Sequence, residues 1–255
     1  MKAIILAAGR GSRMKGETAR RPKCLAMLAG KPLLHWQLEA LHGAGITDVA
    51  VVCGYLADVL EQEKIPVSGV TYLRNPEWEH TNMLSTLLCA YDWARQHDCV
   101  VSYADIVYPA EHVASLAKTD APIGITYDTM WEELWRLRFS DPLSDAETFR
   151  QKNGYLLEIG GKTGDMADIH GQYMGLLKLS SEGWRLVADH CRAQGKETTA
   201  KSDMTGLLRA LLAKGTRVAA VPVTGKWCEV DSAQDRILYE AALRQQNWAH
   251  DWRYS

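Results

Sequence analysis

No stretch of this chain approaches the ~18 consecutive apolar residues of a membrane span, so a membrane-embedded role is not expected. Neither charge sign is in excess. The formal net charge is -2, which gives no global reason to expect nucleic-acid or membrane binding. The six cysteines (Cys24, Cys53, Cys89, Cys99, Cys191 and Cys228) include no Cys-x-x-Cys pair, which argues against a structural zinc site. Most sit in apolar runs and read as buried free thiols, implying a reducing compartment. The apolar run at the start is too short for a secretory signal and is interrupted by Arg10. A cytoplasmic location is the expectation by elimination. Two familiar nucleotide motifs are also missing: there is no G-x-x-x-x-G-K-[ST] loop, and no third Gly at the offset of the dinucleotide fingerprint. Repeats, low-complexity segments and long linkers are absent too, so residues 1–255 are expected to form a single domain.

What is present begins at once. Residues 1–14 read Met-Lys-Ala-Ile-Ile-Leu-Ala-Ala-Gly-Arg-Gly-Ser-Arg-Met, and Arg21-Pro22-Lys23 follows shortly afterwards. A short apolar strand runs into a loop of small residues (Leu6, Ala7, Ala8, Gly9 and Gly11). Such a loop exposes backbone N–H groups to phosphate oxygens and lets a nucleotide lie close to the backbone. Arg10, Arg13 and Lys23 supply the positive charge a triphosphate needs, and basic residues are concentrated between Arg10 and Lys31.

Strand and helix signals then alternate. Strands are expected at 2–6, 48–53, 70–73, 99–103 and 123–127; helices at 32–43, 56–63, 83–96 and 110–118. Near-continuous apolar strands with short links argue for an α/β fold with a doubly wound, mostly parallel, Rossmann-like sheet. Ligands in such sheets lie beyond the carboxyl ends of the strands. The first loop and Asp105 both fall there, so they are expected to meet in one crevice. The rhythm changes after residue 128. The stretch 128–180, with strands at 154–159 and 173–179 and no helix of useful length, reads as a small substrate-binding insertion over the crevice. Helices return at 182–193, 204–212 and 233–245, with strands at 217–223 and 226–230.

Leu-Ala-Ala-Gly-x-Gly-x-Arg-Met followed by Pro-Lys resembles the signature of the nucleotidyltransferases that activate sugar phosphates and related small phosphates. Further elements bring the resemblance closest to the bacterial phosphocholine and phosphonate cytidylyltransferases, which have the nucleotide-diphospho-sugar transferase fold. These are Val-Cys-Gly-Tyr at 52–55, Ser-Tyr-Ala-Asp-Ile-Val-Tyr at 102–108, Gln-Tyr-Met-Gly-Leu at 172–176 and Trp-x-Glu-Val-Asp at 227–231. The resemblance implies that CTP and a small phosphonate or phosphate, such as 2-aminoethylphosphonate, give a CMP-linked product and pyrophosphate. It implies Mg²⁺ held by Asp105 and Asp231, each just past an apolar strand. For Asp231 the competing reading is capping of the helix that follows. Lys23 would stabilise charge at the α-phosphorus, and Arg13 would hold the leaving phosphates. Asn82 and Ser85, at a helix start, and Ala104 would line the nucleotide pocket.

For the acceptor, Trp131, Tyr173 and Trp227 could cage a quaternary ammonium. Asp128, Asp203 or Glu229 could instead meet a primary amine, with Arg136 or Arg138 on the phosphonate; the phosphonate is the expected acceptor. Phosphocholine, or a sugar 1-phosphate with another NTP, is the alternative. Outside this class stand a nucleotide-sensing module and a glycosyltransferase. The first would have lost a metal carboxylate, and the second would carry Asp-x-Asp where this chain has Ala104-Asp105-Ile106. Residues 248–254 are expected to dock on the core or on a second subunit, the latter making a homodimer.

Overall fold

The computed structural model describes residues 1–253, apart from the side chain of Lys15. Its strands are β1 (Lys2–Ala7), β2 (Met27–Leu28), β3 (Lys31–Pro32), β4 (Val49–Cys53), β5 (Val70–Arg74), β6 (Cys99–Tyr103), β7 (Ile106–Val107), β8 (Ile123–Asp128), β9 (Phe149–Lys152), β10 (Tyr155–Ile159), β11 (Gln172–Leu179), β12 (Val218–Val223) and β13 (Cys228–Glu229). Nine of them form one sheet in the order β5-β4-β1-β6-β11-β8-β12-β10-β9. β5, β4, β1 and β6 pair in parallel, as do β8 and β12. The fold is therefore the expected α/β class with a large, mostly parallel sheet.

The sheet is covered on both faces, which is why its central strands such as β1 and β4 are almost wholly apolar, while the edge strands β5 and β9 are mixed. In β1 the side chains alternate. Ala3, Ile5 and Ala7 face one core with the helix Leu33–Gly43, while Ile4 and Leu6 face a second core with the helices Met83–Leu88, Ser181–Gln194 and Met204–Ala213. Leu33, Leu34, Leu38 and Leu41 are all fully buried, as their helical spacing requires. That helix runs through Gly43, and the chain reverses at Gly45, where φ is 82°.

Three expectations change. The helix foreseen over 83–96 is two, Met83–Leu88 and Tyr91–Ala94. Between them Ala90 N–H bonds to the Leu87 carbonyl, a tighter three-residue step that turns the axis. Within 128–180 a helix does form, Trp131–Arg138, burying Trp131, Leu134 and Trp135. Finally, β11 is no part of a covering insertion. It lies inside the main sheet, antiparallel to both β6 and β8, and seven of its eight residues are buried. Of the stretch 128–180, it is the β9–β10 hairpin that extends the sheet edge, next to β12.

Residues 248–252 dock on the core. Trp252 meets Trp36 edge-on at 5.8 Å, and Trp248 lies 5.8 Å from Tyr239. Tyr254, at the end of the stretch named for docking, lies outside the described residues. No described helix is long and apolar enough to cross a membrane.

Candidate active site

The first loop leaves the C-terminal end of β1 and curls over Lys23. Gly11 makes this approach feasible on two counts. Its φ is 65°, and a Cβ there would lie 2.8 Å from Lys23 Cβ. Behind the loop, the Tyr55 N–H bonds to the Ala8 carbonyl at 3.0 Å. Gly54 has no room for a side chain, since its Cβ would sit 2.5 Å from Trp78 Cβ and 2.9 Å from the Ala8 carbonyl oxygen. The Val-Cys-Gly-Tyr element thus braces the loop from beneath.

Pro22, in extended conformation, leads into a short 3-10 turn over Lys23–Leu25. From there the Lys23 side chain reaches Asp105, just past β6, and Asp231, just past β13. Its Nζ lies 2.6 Å from Asp105 Oδ2 and 2.7 Å from Asp231 Oδ1. Residues separated by 82 and 208 positions in sequence therefore share one ammonium. Burial alone would lower the Lys23 pKa; the two carboxylates outweigh it and hold it well above the ordinary range. Burial likewise opposes ionisation of Asp231, and Lys23, Arg13 and Arg138 reverse that, so its pKa is lowered. Arg13 lies 3.0 Å from Asp231 Oδ2.

Asp231 does not cap the helix that follows. Ser232 caps Ala233–Ala242 in a reciprocal box with Asp235, and Asp235 also accepts the Asp231 N–H. The Asp231 carboxylate is thereby left for the crevice. β13 pairs with β7, and the Val230 N–H bonds to the Asp105 carbonyl, so the backbones of the two acidic segments are tied together.

Asp105, Glu229 and Asp231 place one oxygen each within 4.8 Å of one another. Asp105 Oδ1 is buried without a hydrogen-bond partner among the described residues, and a cation, the Lys23 ammonium, already sits between two of the three carboxylates. An all-carboxylate donor set around a space that a positive charge occupies fits a hard divalent ion. Glu229 was foreseen on the acceptor; here it belongs to this acidic cluster as well. Burial pushes its pKa up to about 7, with Asp231 adding to the shift and Arg138 opposing it.

Arg138 holds the cluster from behind. Its side chain is 2% exposed and lies 3.0 Å from Glu229, 3.2 Å from Asp235 and 3.7 Å from Asp231, with its guanidinium over the Trp135 and Phe139 rings. This position was foreseen only as a phosphonate contact. Its helical spacing from Trp131, Leu134 and Trp135 was the available signal that it faces inward.

Two adjoining cavities open here. One, of about 170 Å³, is lined by Leu6, Ala7, Gly9, Gly11, Arg13, Lys23, Cys24, Met83, Tyr103, Ala104, Asp105 and Asp231. The other, of about 230 Å³, shares Arg13, Tyr103 and Asp231 and adds a wall of Trp135, Asp145, Glu147, Phe149, Tyr173 and Glu229. Tyr103 stands between them because Gly175 leaves space for it: a Cβ on Gly175 would lie 2.5 Å from the Tyr103 ring. That glycine, at φ 77°, falls at an irregularity in the pairing of β11 with β8.

Several foreseen contacts are displaced. Asn82 spends its side chain capping Met83–Leu88, so that Met83 lines the loop cavity in its place. Ser85 lies further along the same helix, and neither it nor Ala8, whose carbonyl accepts the Tyr55 N–H, lines the loop cavity. Asp128 is fully buried, accepting the Gly225 and Met130 N–H groups and facing His250 at 3.8 Å. Trp131 packs behind Trp135, ring centroids 6.0 Å apart, and Trp227 is buried on its other side at 6.2 Å. Arg136 points to solvent and pairs with Glu132 one turn away. Asp203 caps Met204–Ala213 through the Gly206 N–H. No sequence signal marked Asp145, Glu147 or Thr148, which line the second cavity from a segment of mixed polarity; Gln172, which lines it too, opens the Gln-Tyr-Met-Gly-Leu element but was given no role.

Comparison with known proteins gives the family and the fold. Residues 3–134 match the model of the MobA-like NTP transferase domain. The chain is 37% identical over 246 residues to a CTP:phosphoglutamine cytidylyltransferase of Campylobacter jejuni, covering 92% of this chain and 97% of that protein. It is 34% identical over 113 residues to a 2-aminoethylphosphonate cytidylyltransferase of Lancefieldella rimae, covering 44% and 45%. Among solved structures, a putative glucose-1-phosphate thymidylyltransferase from Bacillus anthracis superposes with a TM-score of 0.76 over 99% of this chain and 98% of that one, at 18% identity. The chain belongs to the MobA-like NTP transferase family and is a nucleotidyltransferase.

Proposed function

We propose that this enzyme transfers CMP from CTP to a small phosphorylated acceptor that also carries an amino group, phosphoglutamine being the first candidate, and releases pyrophosphate. The observation that carries the reading is the Lys23 ammonium between Asp105 and Asp231, at the point where the glycine loop cavity opens into an acid-lined second cavity. The loop cavity takes the triphosphate, and the second takes the acceptor. Support for CTP comes from the relatives, and support for phosphoglutamine from the near full-length match to the Campylobacter enzyme. A phosphonate acceptor stands second, since the aminoethylphosphonate relative matches less than half the chain.

In this reading Asp105 and Asp231, with Glu229 beside them, hold Mg²⁺, which supplies charge neutralisation across the phosphates. Lys23 lies within reach of the α-phosphate, where negative charge grows in the transition state. Arg13, exposed and at the border of both cavities, meets phosphate oxygens on the loop side. The acceptor oxygen is already ionised, so no side chain need remove a proton from it. Asp231 borders both cavities and so links the position of the nucleotide to that of the acceptor.

A pyrophosphate-release screen tests the proposal. It crosses four NTPs with phosphoglutamine, 2-aminoethylphosphonate, phosphocholine, hydroxyalkylphosphonates and sugar 1-phosphates. Release with CTP and a phosphorylated amine supports it; release only with a sugar 1-phosphate and another NTP replaces it.

A further inference from the structure

We infer that the second cavity selects an acceptor with a free cationic amino group, and that the Glu147 carboxylate receives that group. The inference rests on the reading above and specifies the far end of its acceptor.

Four carboxylates line the cavity: Asp145, Glu147, Glu229 and Asp231. Three are already engaged by the protein. Asp231 meets Lys23 and Arg13, Glu229 meets Arg138, and Asp145 Oδ2 accepts the Trp135 indole N–H at 3.1 Å. Among the described residues Glu147 alone of the four has neither an ion pair nor a side-chain hydrogen bond. It also stands outside the cluster that fits a metal.

Its backbone is fixed. Gln172, itself 6% exposed, donates to the Glu147 carbonyl at 2.7 Å and accepts the Glu147 N–H at 3.4 Å. The next residue, Thr148, closes on Gly161 in both directions, through the Thr148 N–H at 2.8 Å and its hydroxyl at 3.0 Å. The carboxylate therefore projects from a held segment, as a recognition group must if it is to act without reordering. Burial raises the Glu147 pKa, Asp145 and Asp203 add to this, and Lys162 and Arg209 oppose it. A cation set against it would offset that penalty. A primary ammonium brings one positive charge and three donors, while Trp135, Phe149 and Tyr173 offer apolar surface to a short stem. An acceptor ending in a methyl group would leave Glu147 partly desolvated and still unpaired.

The test measures pyrophosphate release from CTP with matched acceptors: phosphoglutamine with and without its α-amino group, and 2-aminoethylphosphonate against propylphosphonate. The wild-type enzyme is expected to prefer the amine in kcat/KM by at least about 30-fold, because the site is built to pair that group. In Glu147→Gln the preference should fall below about 3-fold while the KM for CTP stays unchanged, which also shows that the variant is folded. Equal use of both members of each pair by the wild type, or a preference that survives in Glu147→Gln, overturns the role of Glu147 and leaves nucleotidyl transfer standing. No release with any phosphorylated acceptor overturns the underlying reading and this inference with it.

Discussion

Replacing Arg138 by methionine tests the acidic cluster from its protein side. The substitution keeps a long, flexible stem and removes the guanidinium, so lost packing is a small part of its effect. Arg138 is 2% exposed and faces Glu229, Asp231 and Asp235 at 3.0, 3.7 and 3.2 Å. Without it those carboxylates stay buried and lose a fixed counter-charge. Removing one partner of a buried ion pair costs about 3–5 kcal/mol. A chain of this size loses about 2–4 °C of Tm per kcal/mol, so the midpoint should fall by about 6–20 °C. The assay is thermal denaturation in EDTA and again with excess Mg²⁺. A divalent ion between the carboxylates supplies part of the missing charge, so Mg²⁺ should raise the Tm of the variant more than that of the wild type. Arg138→Lys should fall between the two, because an ammonium keeps the charge but not the planar fork. A loss of under ~2 °C in EDTA, or an equal Mg²⁺ increment in both proteins, would refute the argument that Arg138 balances buried charge at this site.

Asp105→Asn or Asp231→Asn should lower turnover at least ~100-fold through loss of metal-borne charge stabilisation; wild-type-like rates at limiting Mg²⁺ would remove these residues from the metal site. The pH dependence follows from Glu229, whose pKa is pushed up to about 7 by burial and by Asp231. Below that pH the carboxyl keeps its proton, and a metal must displace it. Apparent Mg²⁺ affinity should therefore climb between pH 6 and 8, which Mn²⁺ titration without substrates can measure. A flat response would mean that Glu229 takes no part in holding the ion.

The loop and Asp105 were legible because each stands at the end of an apolar strand of the main sheet, and a parallel sheet gathers strand ends on one edge. Lys23 and Asp231 were read instead from Pro-Lys and Trp-x-Glu-Val-Asp, and they stand on a 3-10 turn and just past β13, outside that sheet. The wall of the second cavity was legible only in part: Tyr173 and Glu229 were named, whereas Asp145, Glu147 and Thr148 come from a segment of mixed polarity in which no short spacing marks them. The arginine pair shows how narrow the margin was. Arg136 and Arg138 are two positions apart on one helix, so they face different ways. One pairs with Glu132 in solvent, and the other fixes the acidic cluster. Asp128 misled for a related reason. A carboxylate ending a buried strand looks poised for a ligand, yet here it closes the turn by accepting the Met130 and Gly225 N–H groups. β11 was placed outside the sheet because the long connection after β8 hid its return, although its apolar run is that of a central strand.

The three cations around the cluster are not equivalent, and the difference bears on Lys23. Arg138 is locked by ring contacts and almost wholly buried, whereas Arg13 is 71% exposed. Lys23 lies between these extremes, on a flexible stem with a 13% exposed side chain, at the centre of the carboxylates. Its ammonium occupies the space where a divalent ion would be held, so ammonium and ion compete when no nucleotide is present. Lys23→Ala should then tighten Mn²⁺ binding to the enzyme alone, although on the function proposed above it removes a group that acts in the reaction. In turnover the same variant should lose kcat by a larger factor than it raises the KM for CTP, since the proposed contact with the α-phosphate would strengthen toward the transition state. The two effects run in opposite directions, and a structural role for Lys23 would yield neither. Weaker Mn²⁺ binding together with a change confined to KM would show that Lys23 organises the carboxylates and binds the ground state, with no special hold on the transition state.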